Sequence, residues 1–258
     1  MSEIILEKKD RVALITLNSP DTANAMDLKI GQALYQVLED LNRDRSLKAA
    51  VLTGAGRTFS AGANIRAILS EVEQAGRTPG QVLEMFVDAF TRAGRLMRDM
   101  DLPFVAAVNG AASGGGLALA LACDLIVAAP QATFDPAYVR LGLVPVGGLS
   151  AVLGQLLGPK KAAEFLFLAR AVPADQALAM GLINRVVPSD RVVAEALDMA
   201  KTMAAQPGLG LARTKRLLHQ AQAADFESQL QRENEYLREC GDHPEHRDIF
   251  AALLKTLS

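Results

Sequence analysis

Tryptophan is absent from this chain of 258 residues, and aromatic side chains make up only 5% of it. Only two cysteines occur, Cys123 and Cys240, and their spacing is not that of a disulfide framework or a metal site. We therefore expect a reducing compartment, by default the cytoplasm, and no bound metal.

A strong charge of one sign and long hydrophobic runs are also missing. The formal net charge is −2, which gives no electrostatic reason to expect binding to nucleic acid or to an anionic membrane. The longest apolar run, Leu117 to Cys123, is far shorter than the roughly 20 residues of a membrane-spanning helix. No signal-peptide pattern precedes the first predicted strand. The sequence thus predicts a protein without nucleic-acid or membrane partners.

Apolar residues, by contrast, are plentiful at 50% of the chain, enough for one large domain with an appendage. Strands alternate with helices over the first 190 residues, a pattern that indicates a mostly parallel sheet with helices on its faces. The predicted strands are Ile4 to Lys8, Val12 to Leu17, Lys48 to Gly54, Phe104 to Asn109 and Asp124 to Ala129.

Helices are predicted between these strands from capping residues and apolar spacing. Asp27 is placed to cap the first helix. A short helix over Ile65 to Leu69 is followed by a polar segment, Glu71 to Gly80, which suits either a mobile cover over a ligand cleft or an ordinary loop. A long helix is then predicted over Gln81 to Asp101.

The last part of the chain, from about Asp190, is predicted to be entirely helical. Pro207-Gly208 and Gly241 are the expected breaks between its helices. These helices are predicted over Arg191 to Ala204, Gly208 to Ala223, Phe226 to Cys240 and Asp248 to Leu257.

The stretch from Ala106 to Ala129 organises the chain around a glycine-rich turn. Its first strand breaks at Asn109-Gly110, and a helix forms after Gly114-Gly115-Gly116, where Leu117 to Cys123 is apolar on all sides. Glycine lets backbone approach backbone or a ligand closely. The N–H groups of a helix N-terminus suit a phosphate or a thioester oxyanion. The alternative is a tight turn that only packs the helix onto the sheet.

A second strand–loop–helix unit, around Phe59 to Ile65, could aim a further N–H group at the same atom. With both loops present, the sequence resembles the crotonase, or enoyl-CoA hydratase/isomerase, superfamily, and the resemblance covers essentially the whole chain. The segments that carry it are T-G-x-G-x-x-F-S-A-G-A (Thr53 to Ala63), N-G-x-A-x-G-G-G (Asn109 to Gly116), Cys123-Asp124, A-x-F (Ala132 to Phe134), Leu141 to Pro145 and Ala177 to Val187.

The resemblance implies an α/β fold, a crotonase-like spiral of ββα units. Residues 1–190 would form this core, with the coenzyme A (CoA) and oxyanion loops, and residues 191–258 a helical C-terminal region that mediates trimerisation. A homotrimer, or a hexamer formed as a dimer of trimers, would follow. The implied substrate is an acyl-CoA thioester, and no cofactor is bound permanently.

The same resemblance assigns the binding residues. The N–H groups of Ala63 and Gly115 would form the oxyanion hole that polarises the thioester carbonyl toward an enolate. Ala61 and Ile65, together with Ala63, would contact CoA, the first two beside its adenine. Asn64 departs from the aspartate that the family usually has there, a change that we expect to alter the capping of the loop but to leave the N–H geometry intact.

Carboxylates are missing from the three positions where the family carries its acid/base groups. The hydratases have one glutamate where Ala118 stands and another where Tyr138 stands, and several isomerases have an aspartate where Val146 stands. Hydration of an enoyl thioester needs a base and an acid. Ordinary two-glutamate hydratase activity is therefore not expected.

Two residues are candidates to replace the missing carboxylates. Tyr138 is a poor base at neutral pH because a phenol has a pKa of about 10, but it can serve as a donor or acid to an enolate. Asp135 is the carboxylate nearest to Tyr138 on the same loop and is a candidate to reach the substrate. The alternative is that Asp135 is a residue of a surface turn. Glu84 and Asp88 fit a solvated helix face, and Arg140 fits a structural ion pair better than a clamp on an acyl carboxylate.

Three function classes remain open at this stage. The first is an enzyme acting on acyl-CoA through an enolate, as an isomerase, atypical hydratase, decarboxylase or hydrolase. The second is a non-catalytic acyl-CoA-binding homologue. The third rests on Ser113, because Gly110 to Gly114 also resembles the nucleophile segment of Clp-type serine peptidases. That reading lacks a nearby base, since the three histidines all lie in the helical tail and suit surface or subunit contacts.

Overall fold

The computed structural model describes residues 2–221 and 224–257, and its strands form two sheets. The strands are β1 (Ile4–Lys9), β2 (Val12–Leu17), β3 (Ala49–Gly54), β4 (Phe104–Val108), β5 (Ala112–Ser113), β6 (Leu125–Ala128), β7 (Thr133–Asp135), β8 (Val172–Pro173) and β9 (Arg185–Val186). The helices are α1 (Leu28–Arg43), α2 (Ile65–Ala75), α3 (Pro79–Asp99), α4 (Gly115–Leu121), α5 (Leu149–Leu168), α6 (Ala174–Ala179), α7 (Val192–Ala204), α8 (Gly208–Gln220), α9 (Phe226–Asp242) and α10 (Pro244–Leu257).

The larger sheet has six strands in the order β1-β2-β3-β4-β6-β9. The hairpin of β1 and β2 is antiparallel, and every later neighbour in this sheet pairs in parallel. The mostly parallel sheet predicted from the sequence is confirmed. The smaller sheet has the order β5-β7-β8, and its strand β5 directly precedes Gly114 to Gly116 in the sequence.

The central strands and the first helix form for the reasons that the sequence suggested. All six residues of β3 and all five of β4 are buried, as expected of parallel strands covered on both faces. The carboxylate of Asp27 accepts a hydrogen bond of 3.0 Å from the Ile30 N–H and so caps α1. All seven residues from Leu117 to Cys123 are buried, as predicted.

The short helix and following loop predicted over Ile65 to Gly80 are wrong, because helix occupies most of the segment Glu71 to Gly80. Helix α2 runs on to Ala75, well beyond Leu69, and α3 already begins at Pro79. A small apolar cluster of Ile68, Val82 and Phe86 joins the two helices. Only the turn from Gly76 to Thr78 is left between them, and the Thr78 side chain caps α3.

The helical C-terminal region also differs in its boundaries. Gly241 lies inside α9 and not at a break, because the chain turns at His243 and α10 begins at Pro244 instead of Asp248. Helix α8 is described to Gln220, and the predicted end at Ala223 lies outside the described residues.

The first helix of this region, α7, packs on strands β2, β3, β4 and β6 of the larger sheet. Its small residues Ala196, Ala200 and Ala204 are part of the main core. The division of the chain at residue 190 stays a prediction. In the described ranges, no helix has both the length and the apolar content needed to cross a membrane.

Candidate active site

Two loops meet at the carboxyl ends of the neighbouring strands β3 and β4. Their backbones are joined directly: the Ser60 N–H donates to the Ala111 carbonyl at 3.0 Å, and the Ser113 N–H donates to the Ser60 carbonyl at 3.0 Å. The carboxyl ends of adjacent parallel strands are where open α/β sheets bind ligands. The two loops predicted to act together are therefore brought together.

Glycine is required where these loops touch. Gly62 has a φ of +87°, and a Cβ built there would lie 2.6 Å from the Ser113 carbonyl oxygen and 3.3 Å from the Gly115 nitrogen. A Cβ on Gly116 would lie 2.4 Å from the Ser60 carbonyl oxygen. Any side chain at either position would push the loops apart.

The N–H groups of Ala63 and Gly115 have no partner in the part of the chain that the structure describes. The Met26 N–H donates to the Gly62 carbonyl, and the Met26 carbonyl accepts from the Asn64 N–H. Because successive residues of an extended chain face opposite sides, the N–H of the intervening Ala63 points away from Met26. Gly115 is the first residue of α4, where an N–H has no partner within the helix. Neither N–H donates a hydrogen bond within residues 2–221 and 224–257.

The residues predicted to contact CoA lie on the same loop as Ala63. Ala61 is exposed, and Ile65 is 46% exposed although it is apolar. Asn64 caps α2 by accepting a 3.1 Å hydrogen bond from the Ala67 N–H. The asparagine thus makes the local contact that an aspartate would make, and the loop keeps its shape.

The three positions without carboxylates surround the start of α4. Ala118 is 4% exposed, and its Cβ would lie 2.9 Å from a Cβ built on Gly147, next to Val146. Tyr138 follows β7, and its Cζ lies 4.0 Å from the position of a Cβ built on Gly114. The methyl group of Ala118 and the isopropyl group of Val146 cannot transfer a proton.

Tyr138 brings a buried hydroxyl beside the glycine-rich turn. Its side chain is 9% exposed, and its hydroxyl has no hydrogen-bond partner within the described ranges. Burial raises the pKa of Tyr138 well above the usual value for a phenol, and the nearby Val146 backbone opposes this only in part. Tyr138 therefore keeps its proton at neutral pH.

Asp135 is tied into the loop that carries Tyr138. Its carboxylate accepts a 2.6 Å hydrogen bond from Arg140 Nη2, one of 3.0 Å from the Ala137 N–H and one of 3.4 Å from Ser113 Oγ. Ala137 has a φ of +54°, so the Asp135 contact stabilises a backbone conformation that alanine rarely adopts. The structural ion pair expected of Arg140 is confirmed.

The remaining polar candidates lie elsewhere. Glu84 and Asp88 are exposed, and Asp88 pairs with Arg92 at 2.7 Å, as expected of a solvated helix face. Ser113 lies on β5, where its hydroxyl faces Asp135, and within the described ranges no histidine contacts it. His219 is partly exposed and lies 3.4 Å from Asp124, and its predicted surface or subunit role stays a prediction.

Sequence reasoning missed a buried ion cluster around Asp124. Lys215 Nζ lies 3.0 Å from Asp124 Oδ2 and donates to the carbonyl oxygens of Met97 and Leu102 at 2.7 and 2.8 Å. The available signal was the position of Lys215 three residues after Ala212, which places both on the buried face of α8. The cluster lies away from the two loops and joins α8 to the core.

Comparisons with known proteins point to one family. The model of the family described as enoyl-CoA hydratase/isomerase matches residues 7–254. The short-chain-enoyl-CoA hydratase of Clostridium acetobutylicum is 30% identical, over 99% of this chain and 95% of the relative. The 1,2-epoxyphenylacetyl-CoA isomerase of Escherichia coli K12 is 32% identical, over 98% of this chain and 96% of the relative.

Solved structures agree with the sequence comparison. An enoyl-CoA hydratase from Polaromonas sp. JS666 superposes with a TM-score of 0.91 at 30% identity, over 98% of this chain and 97% of that one. An enoyl-CoA hydratase from Bacillus anthracis has a TM-score of 0.91 at 26% identity, over 98% and 96%. The α/β crotonase fold is therefore confirmed, and the chain belongs to the enoyl-CoA hydratase/isomerase family.

Proposed function

We propose that this protein binds an acyl-CoA thioester, with the carbonyl oxygen between the N–H groups of Ala63 and Gly115. The observation that carries the proposal is that two unpaired donors lie on loops whose backbones are in direct contact. The exposed Ala61 and Ile65 would contact CoA beside its adenine. The names of the relatives support this substrate class, because they are enzymes of CoA thioesters.

In this proposal the two donors stabilise the negative charge that develops on the thioester oxygen when an enolate forms. Loss of one such donor typically costs roughly 3 kcal/mol of transition-state stabilisation. Both donors are backbone groups fixed by the contacts of Gly62 and Gly116, so they are already oriented when the substrate arrives.

The side chains around this oxyanion hole favour enolate chemistry other than hydration. Neither Ala118 nor Val146 can act as a base, and the oxygens of Asp135 already accept hydrogen bonds from Arg140, Ala137 and Ser113. Tyr138 is a neutral proton donor. A reaction that forms the enolate without a strong protein base fits these groups. An example is a 2-carboxyacyl thioester, whose C–C bond to the carboxylate breaks to release carbon dioxide; Tyr138 then donates its proton to the α-carbon of the enolate and regains one from water. We assign Asp135 to positioning the loop of Tyr138.

We further propose that the protein is a homotrimer or a hexamer, in the cytoplasm. Helix α9 has no buried residue, and α9 and α10 carry strongly exposed apolar side chains. The most exposed of these are Phe226, Leu237, Phe250 and Leu254. Two cysteines without a disulfide fit a reducing compartment.

The experiment that tests the oxyanion hole varies the ligand and leaves the protein intact. Calorimetry would compare acetyl-CoA with S-ethyl-CoA, a thioether that lacks only the carbonyl oxygen. We expect acetyl-CoA to bind at least about fivefold more tightly, because each hydrogen bond contributes about 1 kcal/mol. Infrared difference spectra would show the bound thioester carbonyl at lower frequency. Equal affinities together with an unshifted carbonyl band would contradict the proposal.

Turnover assays then distinguish an enzyme from a non-catalytic acyl-CoA-binding protein. The missing carboxylates also favour the non-catalytic alternative. The substrates are crotonyl-CoA for hydration, a 3-enoyl-CoA for isomerisation and methylmalonyl-CoA for decarboxylation. We expect negligible hydration and measurable turnover of one of the other two. Tight binding without turnover of any would support the non-catalytic alternative, and efficient hydration would refute our assignment.

A further inference from the structure

A cavity of about 310 Å³ lies between helices α3, α4 and the start of α5. Its wall is made of small or apolar residues, chiefly Gly94, Ala118, Leu121, Ala122, Gly147 and Val152. The charged residues Arg95 and Asp99 lie at its rim, where they pair with each other at 3.6 Å and are largely exposed. Thr91 and Arg98 on α3 also line the cavity, and the remaining wall is small or apolar. The interior is therefore mostly apolar, with its polar groups on the side of α3.

This cavity begins one helical turn from the proposed oxyanion hole. Ala118 follows Gly115 by three residues on α4, a spacing that puts them on one face of the helix, about 5–6 Å apart. The ring of Phe90 bridges the same gap. Its Cζ lies 3.3 Å from a Cβ built on Gly115, and its Cε2 lies 3.5 Å from a Cβ built on Gly147. A group extending from the thioester along α4 would pass the Phe90 ring and enter the cavity.

The volume limits what the cavity can hold. An apolar cavity of roughly 150 Å³ takes up a benzene molecule, so 310 Å³ exceeds the need of an aromatic ring. The space exists because six wall positions carry glycine or alanine. A larger side chain at Ala118 would fill it, including the glutamate that hydratases of this family carry there. Alanine at position 118 therefore both removes the carboxylate and leaves space for the cavity.

We propose that this cavity receives the acyl group of the substrate, and that the protein selects acyl-CoA thioesters with a bulky apolar acyl group of about the size of an aromatic ring. This inference rests on the proposed function, because the thioester must lie at Ala63 and Gly115 for its acyl group to reach the cavity. Burial of the ring against apolar walls supplies the selectivity.

Gly94 offers a clean way to test this. A Cβ at Gly94 would lie 3.6 Å from the Ala122 Cβ, an ordinary contact, and the φ of Gly94 is not in the left-handed region. Gly94→Leu would therefore fill the cavity from α3 without backbone strain and without touching the oxyanion loops. Gly154→Leu is the matched control, because Gly154 also lies in a helix, has open space around it and does not line the cavity.

Calorimetry with acetyl-CoA and phenylacetyl-CoA gives the readout. We expect the wild type and Gly154→Leu to bind phenylacetyl-CoA at least about tenfold more tightly than acetyl-CoA. Gly94→Leu should bind acetyl-CoA as the wild type does and lose most of the preference for the ring. Ala151→Phe, which fills the cavity from the exposed start of α5, should do the same if Gly94→Leu does not fold.

The outcomes separate this inference from the proposed function. Normal acetyl-CoA binding without a ring preference in the wild type would overturn the inference and leave the proposed function standing. A ring preference that survives both Gly94→Leu and Ala151→Phe would also overturn it, because the ring would then bind elsewhere. Failure of the wild type to bind any CoA thioester would overturn both.

Discussion

The ammonium group of Lys215 lies 3.0 Å from the carboxylate of Asp124, and the two side chains are 3% and 17% exposed. Lys215 joins α8 to the end of α3 through the Met97 carbonyl oxygen and to the following loop through that of Leu102. Asp124 also accepts a 2.8 Å hydrogen bond from the Phe104 N–H at the start of β4. One ion pair therefore connects the C-terminal helices to the central sheet.

Asp124→Asn should destabilise the protein strongly, because it leaves the Lys215 charge buried without its counter-ion. We expect the free energy of unfolding to fall by about 3 kcal/mol, measured by urea denaturation at pH 7. The double variant Asp124→Asn, Lys215→Met removes the unpaired charge, keeps an acceptor for the Phe104 N–H and should recover most of this loss. If the single variant matched the wild type, the pair would not hold α8 in place.

The effect of this pair should also depend on pH. Burial alone would raise the pKa of Asp124, but the hydrogen bond to His219 and the charge of Lys215 outweigh burial and lower it. A carboxylate whose folded pKa lies below its unfolded value, about 3.9, stabilises the protein above that value and loses this effect as the pH falls through the folded pKa. The stability difference between the wild type and Asp124→Asn should therefore shrink below about pH 4, as denaturation at pH 7 and pH 3 would show.

Tyr138→Phe should separate stability from activity. The Tyr138 hydroxyl is buried without a partner in the described part of the chain, so its removal should leave the free energy of unfolding unchanged or raise it by about 1 kcal/mol. Turnover should fall at least about tenfold if the hydroxyl protonates the enolate. Tyr35→Phe on α1 is the control. Full activity of Tyr138→Phe would remove Tyr138 from the mechanism.

Asp135→Asn should distinguish positioning from proton transfer. Asparagine can still accept the Ala137 N–H bond that holds the loop, and the partly exposed pair with Arg140 contributes less than about 1 kcal/mol. We expect turnover within about fivefold of the wild type and an unchanged pH profile. A loss of a hundredfold or more, with a shifted profile, would instead make Asp135 an acid/base residue.

The exposed apolar side chains of α10 should mediate assembly. We expect sedimentation to give a mass of three or six chains, and the double variant Phe250→Glu, Leu254→Glu to dissociate that assembly. Both residues are more than half exposed. Ile5→Glu on β1 serves as the control, because it adds a charge at an exposed apolar position away from α10. A monomeric wild type would refute the trimer.

Much of this fold can be predicted from local sequence signals. The rest depends on contacts between segments that are distant in sequence. The Asp27 cap and the buried strands around Val51 and Ala106 followed from residues close in sequence. The extent of α2 did not, because it depends on the contact of Ile68 with Phe86, which a single segment does not reveal. Gly241 was misread for a similar reason, since glycine ends a helix only where the chain must turn.

The candidate site shows the same division. The meeting of the loops of Ala63 and Gly115 could be predicted from their motifs, because such close turns need small residues that are visible in sequence, whereas their role as donors stays a proposal. The burial of Tyr138, the hydrogen bonds of Asp135 and the cavity beyond Ala118 depend on how distant segments pack. No spacing along the chain encodes those contacts.

The donors that we propose at Ala63 and Gly115 are main-chain amides, and amides do not ionise over the pH range in which proteins stay folded. Capture of the thioester oxygen should therefore be indifferent to acidity, even where the chemical step is not. It should also be nearly immune to substitution of the surrounding side chains, so long as the glycines that let the two loops touch are kept. A protein built this way can lose one reaction and acquire another without ceasing to hold its substrate.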